Sequence, residues 1–564
     1  MRKKSYLSLV LCAILGATAL PASAVSESVH ATAEVAPPAA PQGKKISGKV
    51  VDEAGNPVAF ASVQVKGTSV GTNTDANGKY TLTVKPGSTL LIKFIGYQQA
   101  QVAVTAANVY NITLKEDSKA LTEVVVTAMG IKKEKKSLGY SVSDINSEEL
   151  MKNKQTNVVN SLAGKVAGVN VTQAGGAAGS GSTIILRGGN SASESRDNQP
   201  LFVVDGVIYD NSTVNTGNSG TDGVTKGNTT FSNRVMDLNP EDIESMTVLK
   251  GAAAAALYGS RAGDGAIIIT TKKGEQGTVK VNFSSKVSTS WANRLPEYQK
   301  VYGRGYYNEI GTFSDYSTQS WGEKFSESAE LNKYYNNVEN FFQNGTIFDN
   351  SVSISGGSKN GTFFLSASDF NQEGIVPNTG YDKKTFRFNG EQKYGKLTAG
   401  INVAYTSATT DKTLTSGGLY GQGGNGALSA VYGWSQSDDM RHWLNEDGSK
   451  YRMFADRQDL EDDVENPYWI INKNKLQDAT DRLTGNINAS FQITNWWTVS
   501  GRLGIDRYKT SADTYTAPGG AVKQMYQGGY LARSERDYRY LSTTLLSTMN
   551  KQFGDFDLNL TLGH

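Results

Sequence analysis

The sequence predicts a mainly β protein made of an N-terminal β-sandwich, an α+β domain, and long antiparallel strands belonging to a transmembrane β-barrel. Three observations carry this. Residues 46–116 break into short β-rich runs between closely spaced turn signals. Residues 137–273 mix short apolar runs with an unusual density of Gly and Ala. After Val279 the hydrophobic period settles at two, giving each strand an apolar and a polar face, as a strand between lipid and a wet lumen requires. With 564 residues, 20% charged, 38% hydrophobic and a single Cys, the chain is neither a disulfide scaffold nor a disordered one. Lys+Arg 56 against Asp+Glu 54 gives no net attraction to nucleic acid. The negative mean hydropathy does not exclude a membrane, because half of every barrel strand faces water.

Residues 1–24 hold the basic Arg2-Lys3-Lys4, an apolar run from Tyr6 to Leu20, and Ala22-Ser23-Ala24. This is the pattern of a secretory signal peptide cleaved between Ala24 and Val25. An uncleaved anchor fits less well, since the run is short of the ~20 apolar residues that a span needs. Cys12 lies inside the run, so the mature chain has no thiol for disulfides or metal. From residue 25 to 45 the composition is Ala- and Pro-rich with little to bury, which reads as a linker.

The sandwich, 46–116, is punctuated by Ala54-Gly55-Asn56-Pro57, Asn77-Gly78 and Pro86-Gly87. Asp75-x-Asn77-Gly78 lacks the further acidic ligands of a calcium loop and reads as a hairpin turn. The segment 120–136 follows. Glu123, Val124, Val125, Val126, Thr127 and Ala128 form a β-branched stretch with charged flanks and no hairpin mate visible in the sequence. It is a candidate for pairing with another protein's sheet edge, or for the last strand of the sandwich. The basic run Lys132-Lys133-Glu134-Lys135-Lys136 reads as a solvated linker.

Within 137–273, Asp205-Gly206 after Leu201-to-Val204 is a strong two-residue hairpin signal. Gly176-x4-Gly181-Ser182-Thr183 is not a phosphate loop, because Ser182 stands where the Lys must be. The barrel strands fall near 279–290, 350–357, 362–371, 385–394, 396–408, 481–494, 496–510, 535–551 and 555–564. Lys359-Asn360-Gly361, Tyr394-Gly395-Lys396, Thr494-Asn495 and Phe553-Gly554-Asp555 make short turns on one side; the connections on the other side are longer, two of them, 291–349 and 409–480, very much so. That asymmetry is the mark of an outer-membrane barrel, and Trp496-Trp497 beside a short turn fits an interfacial aromatic girdle.

The most specific strings are Pro200-Leu201-Phe202-Val203-Val204-Asp205-Gly206 and the run from Leu238-Asn239-Pro240-Glu241-Asp242 to Val248-Leu249-Lys250-Gly251. Ala256-Leu257-Tyr258-Gly259-Ser260-Arg261-Ala262 and Gly265-Ala266-Ile267 follow. With the order of parts around them they resemble the SusC/RagA family of TonB-dependent outer-membrane transporters. The resemblance implies a carboxypeptidase-regulatory-like sandwich, 137–273 as a plug, and a 22-stranded barrel around it in the outer membrane. It implies a SusD-like surface lipoprotein as lid and import of an oligosaccharide or peptide ligand, with no cofactor and no metal. It also implies that Glu123–Ala128 is a TonB box in the periplasm, where TonB, energised from the inner membrane, would pair with it. Asp205, Gly206, Lys250, Gly251, Tyr258, Gly259 and Arg261 are the plug positions that the matching strings single out, and Arg187 and Gly188, in Ile184-Ile185-Leu186-Arg187-Gly188-Gly189, are taken with them as plug motifs. Nine strands are too few for such a barrel, so 279–564 is expected to be its incomplete N-terminal part, and the chain a fragment or truncated product. Two other readings stay open: a surface receptor or adhesin that does not transport, and a non-functional remnant.

Enzyme chemistry has little support. His30, His442 and His564 form no metal pair, and there is no Cys nucleophile. Aromatic residues in the long loops, among them Trp291, Tyr307, Trp321, Trp434, Phe454 and Trp469, serve either to stack on sugar rings or to pack the loops.

Overall fold

The computed structural model describes residues 43–115 without 54, 69, 86, 95 and 96; 124–126; 132–134; and 142–564 without 174–175, 190, 192–197, 213–231, 327–332, 414–425, 455–463, 521–527 and 555. The signal peptide, its cleavage residues Ala22, Ala24 and Val25, and Glu123, Thr127 and Ala128 lie outside these. The chain divides into two units, Met1–Thr122 and Glu123–His564.

The first unit is a sandwich of two sheets. Strands β1 (Lys44–Val51), β4 (Lys79–Val84) and β7 (Ile112–Thr113) form one, in the order β4-β1-β7. Strands β2 (Ser62–Val65), β3 (Gly71–Asn73), β5 (Thr89–Lys93) and β6 (Ala100–Ala103) form the other, in the order β3-β2-β5-β6. Alternation decides which side chains enter the core: in β4, Tyr80, Leu82 and Val84 are buried and the residues between them are exposed. They meet Ile46, Val50, Val63, Leu90 and Ile92. Tyr80 donates from its hydroxyl to the Tyr110 carbonyl at 2.9 Å. Burial, aided by the neighbouring Tyr110, pushes that hydroxyl up to about 12. Asp75 closes a turn rather than a cation loop: its Oδ1 accepts from the backbone N–H of Asn77 at 2.9 Å and of Lys79 at 2.8 Å.

Gly48, in β1, is where the backbone of 108–110 crosses closest. A Cβ there would lie 1.7 Å from the Tyr110 carbonyl oxygen and 2.8 Å from the Tyr80 ring. Gly48→Ala is therefore expected to destabilise the sandwich by about 3 kcal/mol or more, since backbone cannot yield as a side chain can. Limited proteolysis of the intact protein measures this as early cleavage within 43–115; an unchanged digestion pattern would show that β1 shifts to absorb the methyl group.

The second unit begins with a paired strand where the sequence showed a lone one. Val124–Val126 does have a mate: it is strand β8, paired antiparallel with β9 (Lys132–Glu134) through Val124↔Glu134, Val125↔Lys133 and Val126↔Lys132. The basic run taken for a linker supplies that mate, because main-chain pairing asks for extended backbone and tolerates charged side chains at an edge.

The middle domain is a five-stranded sheet in the order β10-β15-β16-β13-β14: β10 (Val142–Asn146), β13 (Leu201–Val204), β14 (Val207–Tyr209), β15 (Ile243–Leu249) and β16 (Ala266–Thr271). Beside it lie the hairpin β11 (Val169–Gln173) and β12 (Ser182–Leu186) and the short helices α1 (Ser147–Lys152) and α2 (Ala252–Tyr258). Its core gathers Leu162, Ile184, Phe202, Met246, Val248 and Ile267, all buried. Asp205-Gly206 joins β13 to β14 with φ of 48° and 83°, both positive, as a type I′ turn demands.

Nine long strands make a wall: β17 (Gly277–Ser290), β20 (Gly345–Gly357), β21 (Gly361–Glu373), β22 (Gly380–Tyr394), β23 (Leu397–Lys412), β24 (Lys475–Thr494), β25 (Trp497–Thr516), β26 (Tyr530–Phe553) and β27 (Phe556–Gly563). Each pairs antiparallel with the next, and the small hairpin β18 (Tyr306–Tyr307) and β19 (Phe313–Ser314) stands apart in a loop. Every strand read from the sequence is present; β20 to β26 reach further at their long-loop ends, whereas β27 is slightly shorter than expected. One face is exposed and apolar, with Val281, Phe283, Ile401, Ile487, Leu503 and Leu545 upon it. The other is polar and packs on the middle domain. This is the two-faced sheet of a membrane barrel. Among the described residues β17 and β27 are its edges. Trp496 and Trp497 stack with ring centroids 6.3 Å apart at the short-turn end, and Lys551 caps Trp496 at 5.0 Å.

Candidate functional site

The middle domain is fixed to the wall by buried ions. Arg482 points inward from β24, where alternation sends Asp478, Thr480 and Asn486 the same way. Its Nε and Nη2 donate to both carboxylate oxygens of Asp506 on β25, at 2.9 and 2.7 Å. Nη1 reaches Asp237 of the middle domain at 3.2 Å, and Nη2 the Asp210 carbonyl at 3.0 Å. The guanidinium lies 3.3 Å above the Tyr209 ring. Water reaches none of these groups: Asp506 is 0% exposed, and Arg482 and Asp237 are each 2%. A bidentate Arg–Asp pair with further acceptors on its remaining donors is the arrangement that offsets the desolvation of both charges.

Three more wall cations repeat the device. Arg387 of β22 donates to Asp242 at 3.2 Å and lies 3.7 Å from Asp205. Asp205 also accepts from the Thr271 backbone N–H and hydroxyl, at 3.0 and 2.7 Å, which ties the β13–β14 turn to β16. Lys383 donates to the carbonyls of Met236 and Leu238 at 2.8 and 3.0 Å. Lys412 pairs with Asp478 at 3.2 Å, and Asp478 accepts from Ser232 at 2.6 Å. At the far edge a middle-domain lysine, Lys154, reverses the polarity by pairing with Asp349 of β20 at 2.7 Å. Segment 232–242 is therefore the part of the middle domain held most firmly.

The sequence singled out Asp205 and Gly206, and both are here. A Cβ on Gly206 would lie 2.0 Å from Nη1 of Arg502, an end of side chain that can move aside, so it is the turn's φ of 83° that favours glycine there. A cavity of about 440 Å³, lined by Asp205, Tyr258, Lys273, Asn402, Asn486 and Arg502, lies beside the turn. Arg261 rests over the Tyr540 ring at 5.6 Å, at a second contact with the wall. Gly251 and Gly259 flank α2 with φ of 57° and 72° and do a structural task, as do Lys250, which precedes that helix half-buried, and Arg187 and Gly188, whose φ of 59° and 93° turn the chain after β12. Arg234, Asp237, Lys383, Arg387, Arg482 and Asp506 were not singled out. For Lys383, Arg387, Arg482 and Asp506 the one sequence signal is a charge at an inward position of an alternating strand, while Arg234 and Asp237 lie in a short helical turn that carries no such signal.

The long loops form a core of their own above the wall. Phe341, Trp434, Met440, Phe454 and Ile470 are buried together. Tyr451 donates to Asp438 at 3.1 Å, and its ring lies tilted against His442 with centroids 4.1 Å apart. Burial pushes the Asp438 carboxyl up in spite of that hydrogen bond, whereas the Arg441 guanidinium holds Asp439 below its ordinary value. Packing thus accounts for Trp434, Phe454 and Trp469, while Trp291, Trp321 and Tyr307 are left more than half exposed.

Two family models match the chain: the CarboxypepD_reg-like domain over residues 46–126, and the TonB-dependent Receptor Plug Domain over residues 134–266. The TonB-dependent receptor SusC of Bacteroides thetaiotaomicron is 38% identical over 346 residues, which are 61% of this chain and 32% of that protein. The structure of the RagAB peptide importer in its open-open state superposes with a TM-score of 0.54 at 20% identity, covering 78% of this chain and 48% of that one. The chain carries the plug domain of TonB-dependent receptors and is similar to the SusC/RagA family. The relatives it matches are named as receptors. The TonB-dependent receptor P3 of Formosa agariphila aligns with still more of it, 27% identical over 530 residues, or 93% of this chain and 48% of the relative. The chain thus spans a third to a half of the length of these curated relatives. The domain pinned by the wall ions is the plug.

Proposed function

We propose that the intact protein imports oligosaccharides or oligopeptides across the outer membrane, drawing on TonB and covered by a SusD-like surface lipoprotein. One observation carries this reading: the plug is fixed to the inner face of the wall by buried ion pairs, and a plug so held inside a closed barrel obstructs it and needs work to release. The β-branched segment Glu123–Ala128, ahead of the plug, is where that work is applied, by strand addition of TonB in the periplasm. The sandwich and this segment lie on the periplasmic side. Relatives named for TonB dependence, and a neighbour described as a peptide importer, support the reading. Exposed Trp291, Trp321 and Tyr307 offer ring faces among Asn, Asp and Gly, which favours glycan over peptide by a small margin.

The test is uptake of fluorescent oligosaccharide and peptide libraries by cells carrying the intact protein and by cells deleted for it, with and without a protonophore. Entry that needs both the protein and an energised inner membrane is expected. Entry indifferent to the protonophore would remove TonB from the reading, and binding without entry would make the protein a surface receptor.

A further inference from the structure

The exposed face of the wall changes character at one level. On β25 and β26 the facing pairs run Leu503↔Thr543, Ile505↔Leu541, then Arg507↔Arg539 and Lys509↔Asp537. Leu503 and Leu541 are 53% and 58% exposed, and Leu545 below them 60%. Trp496 and Trp497 mark the other border of this apolar strip, as amphipathic rings do where hydrocarbon meets water. From Trp497 to Arg507 is roughly ten residues, about 33 Å of strand, or about 25 Å of height at a tilt near 40°. That is the height of the apolar band of an outer-membrane barrel, so Arg507 and Arg539 stand at the opposite headgroup level, on the long-loop side.

Like charges directly opposite on one face of a sheet repel. The other cations nearby are answered: Lys509 by Glu535 at 3.2 Å, Arg533 by Asp513 at 2.7 Å, and Arg507 itself by Asp537 at 3.3 Å. Arg539 is exposed and pairs with no carboxylate among the described residues. An unanswered guanidinium beside a second one, at the upper rim of an apolar strip, is a site for an anion attached to acyl chains.

We propose that Arg539, with Arg507 beside it, binds the phosphate of a lipid headgroup in the leaflet on the long-loop side, the lipid's chains lying along Ile505, Leu541, Leu503 and Leu545. Guanidinium matches phosphate bidentately, and the anion relieves the repulsion between the two arginines. The edge of the hydrocarbon strengthens the attraction. This goes beyond the import reading and rests only on the wall being a membrane barrel.

The test is native mass spectrometry of the intact protein in nonionic detergent with dioleoyl phosphatidic acid, with dioleoylglycerol, which has the same chains without phosphate, and with millimolar inorganic phosphate as competitor. Phosphatidic acid adducts are expected to survive the competitor, to exceed those of dioleoylglycerol, and to fall roughly fivefold or more in the Arg507→Gln/Arg539→Gln variant while Arg533→Gln retains them. Equal adducts in the double variant, equal loss in Arg533→Gln, or no preference over dioleoylglycerol would overturn the site. Displacement by inorganic phosphate would overturn its assignment to a lipid.

Discussion

Methionine in place of Arg482 is expected to loosen the plug from the wall by about 3–5 kcal/mol, the usual cost of leaving a buried charge without its partner. Asp506 is fully buried and loses both of its guanidinium hydrogen bonds at once. The backbone N–H of Asp210, 3.0 Å away, is left to it. Asp237 is less exposed to the change, because Arg234 remains 3.6 Å from it. Methionine fills much of the volume and can rest on the Tyr209 ring, so the loss reports charge rather than a hole. Adding Asp506→Leu removes the orphaned carboxylate and is expected to recover most of the stability. The exposed pair Arg507–Asp537 gives the contrast: its removal is expected to change stability by about 0.5 kcal/mol or less. Protease cleavage within 205–242 of the intact protein, followed against urea, measures all three. Protection in Arg482→Met equal to that of the parent would mean that apolar packing alone seats the plug.

The strands were legible where two solvents face each other. In β24, Leu483, Ile487 and Phe491 alternate with Thr484, Asn486 and Asn488 because lipid lies on one side and the plug on the other. The same strand starts at Lys475, earlier than residue type reveals, since above the apolar band both faces carry polar residues: Gln477 is exposed while Asp478 and Thr480 are buried. Asp205-Gly206 was legible because a turn with two positive φ values is a local demand on residue type. The ion lock was not. Arg482 meets Asp506 across a strand pair and Asp237 from another domain, and no spacing along the chain encodes either meeting. β9 was hidden for the opposite reason: its charged side chains suit a solvated linker as well as they suit an edge strand. The loop aromatics show that residue type alone does not separate packing from binding, since Trp434 is 2% exposed and Trp321 66%.

Proline at Val125 is expected to abolish energy-dependent uptake by the intact protein while leaving surface binding within about twofold, because the ring removes a main-chain donor and fixes φ. β8 is only three residues long and Val125 is its centre, paired with Lys133. If the Val125 N–H points toward β9, proline breaks the hairpin; if it points away, proline blocks the edge that a strand from TonB would add to. Both outcomes remove the handle. Net main-chain hydrogen bonds contribute about 1 kcal/mol each, so so short a hairpin resists exchange weakly and a longer strand from a partner can replace β9. Val125→Thr keeps the donor and the β-branch and is expected to keep uptake. Uptake assayed with fluorescent oligomers, alongside binding to de-energised cells, separates the cases: lost uptake with lost binding would report misfolding, and sustained uptake in the proline variant would take the pulling point away from this strand.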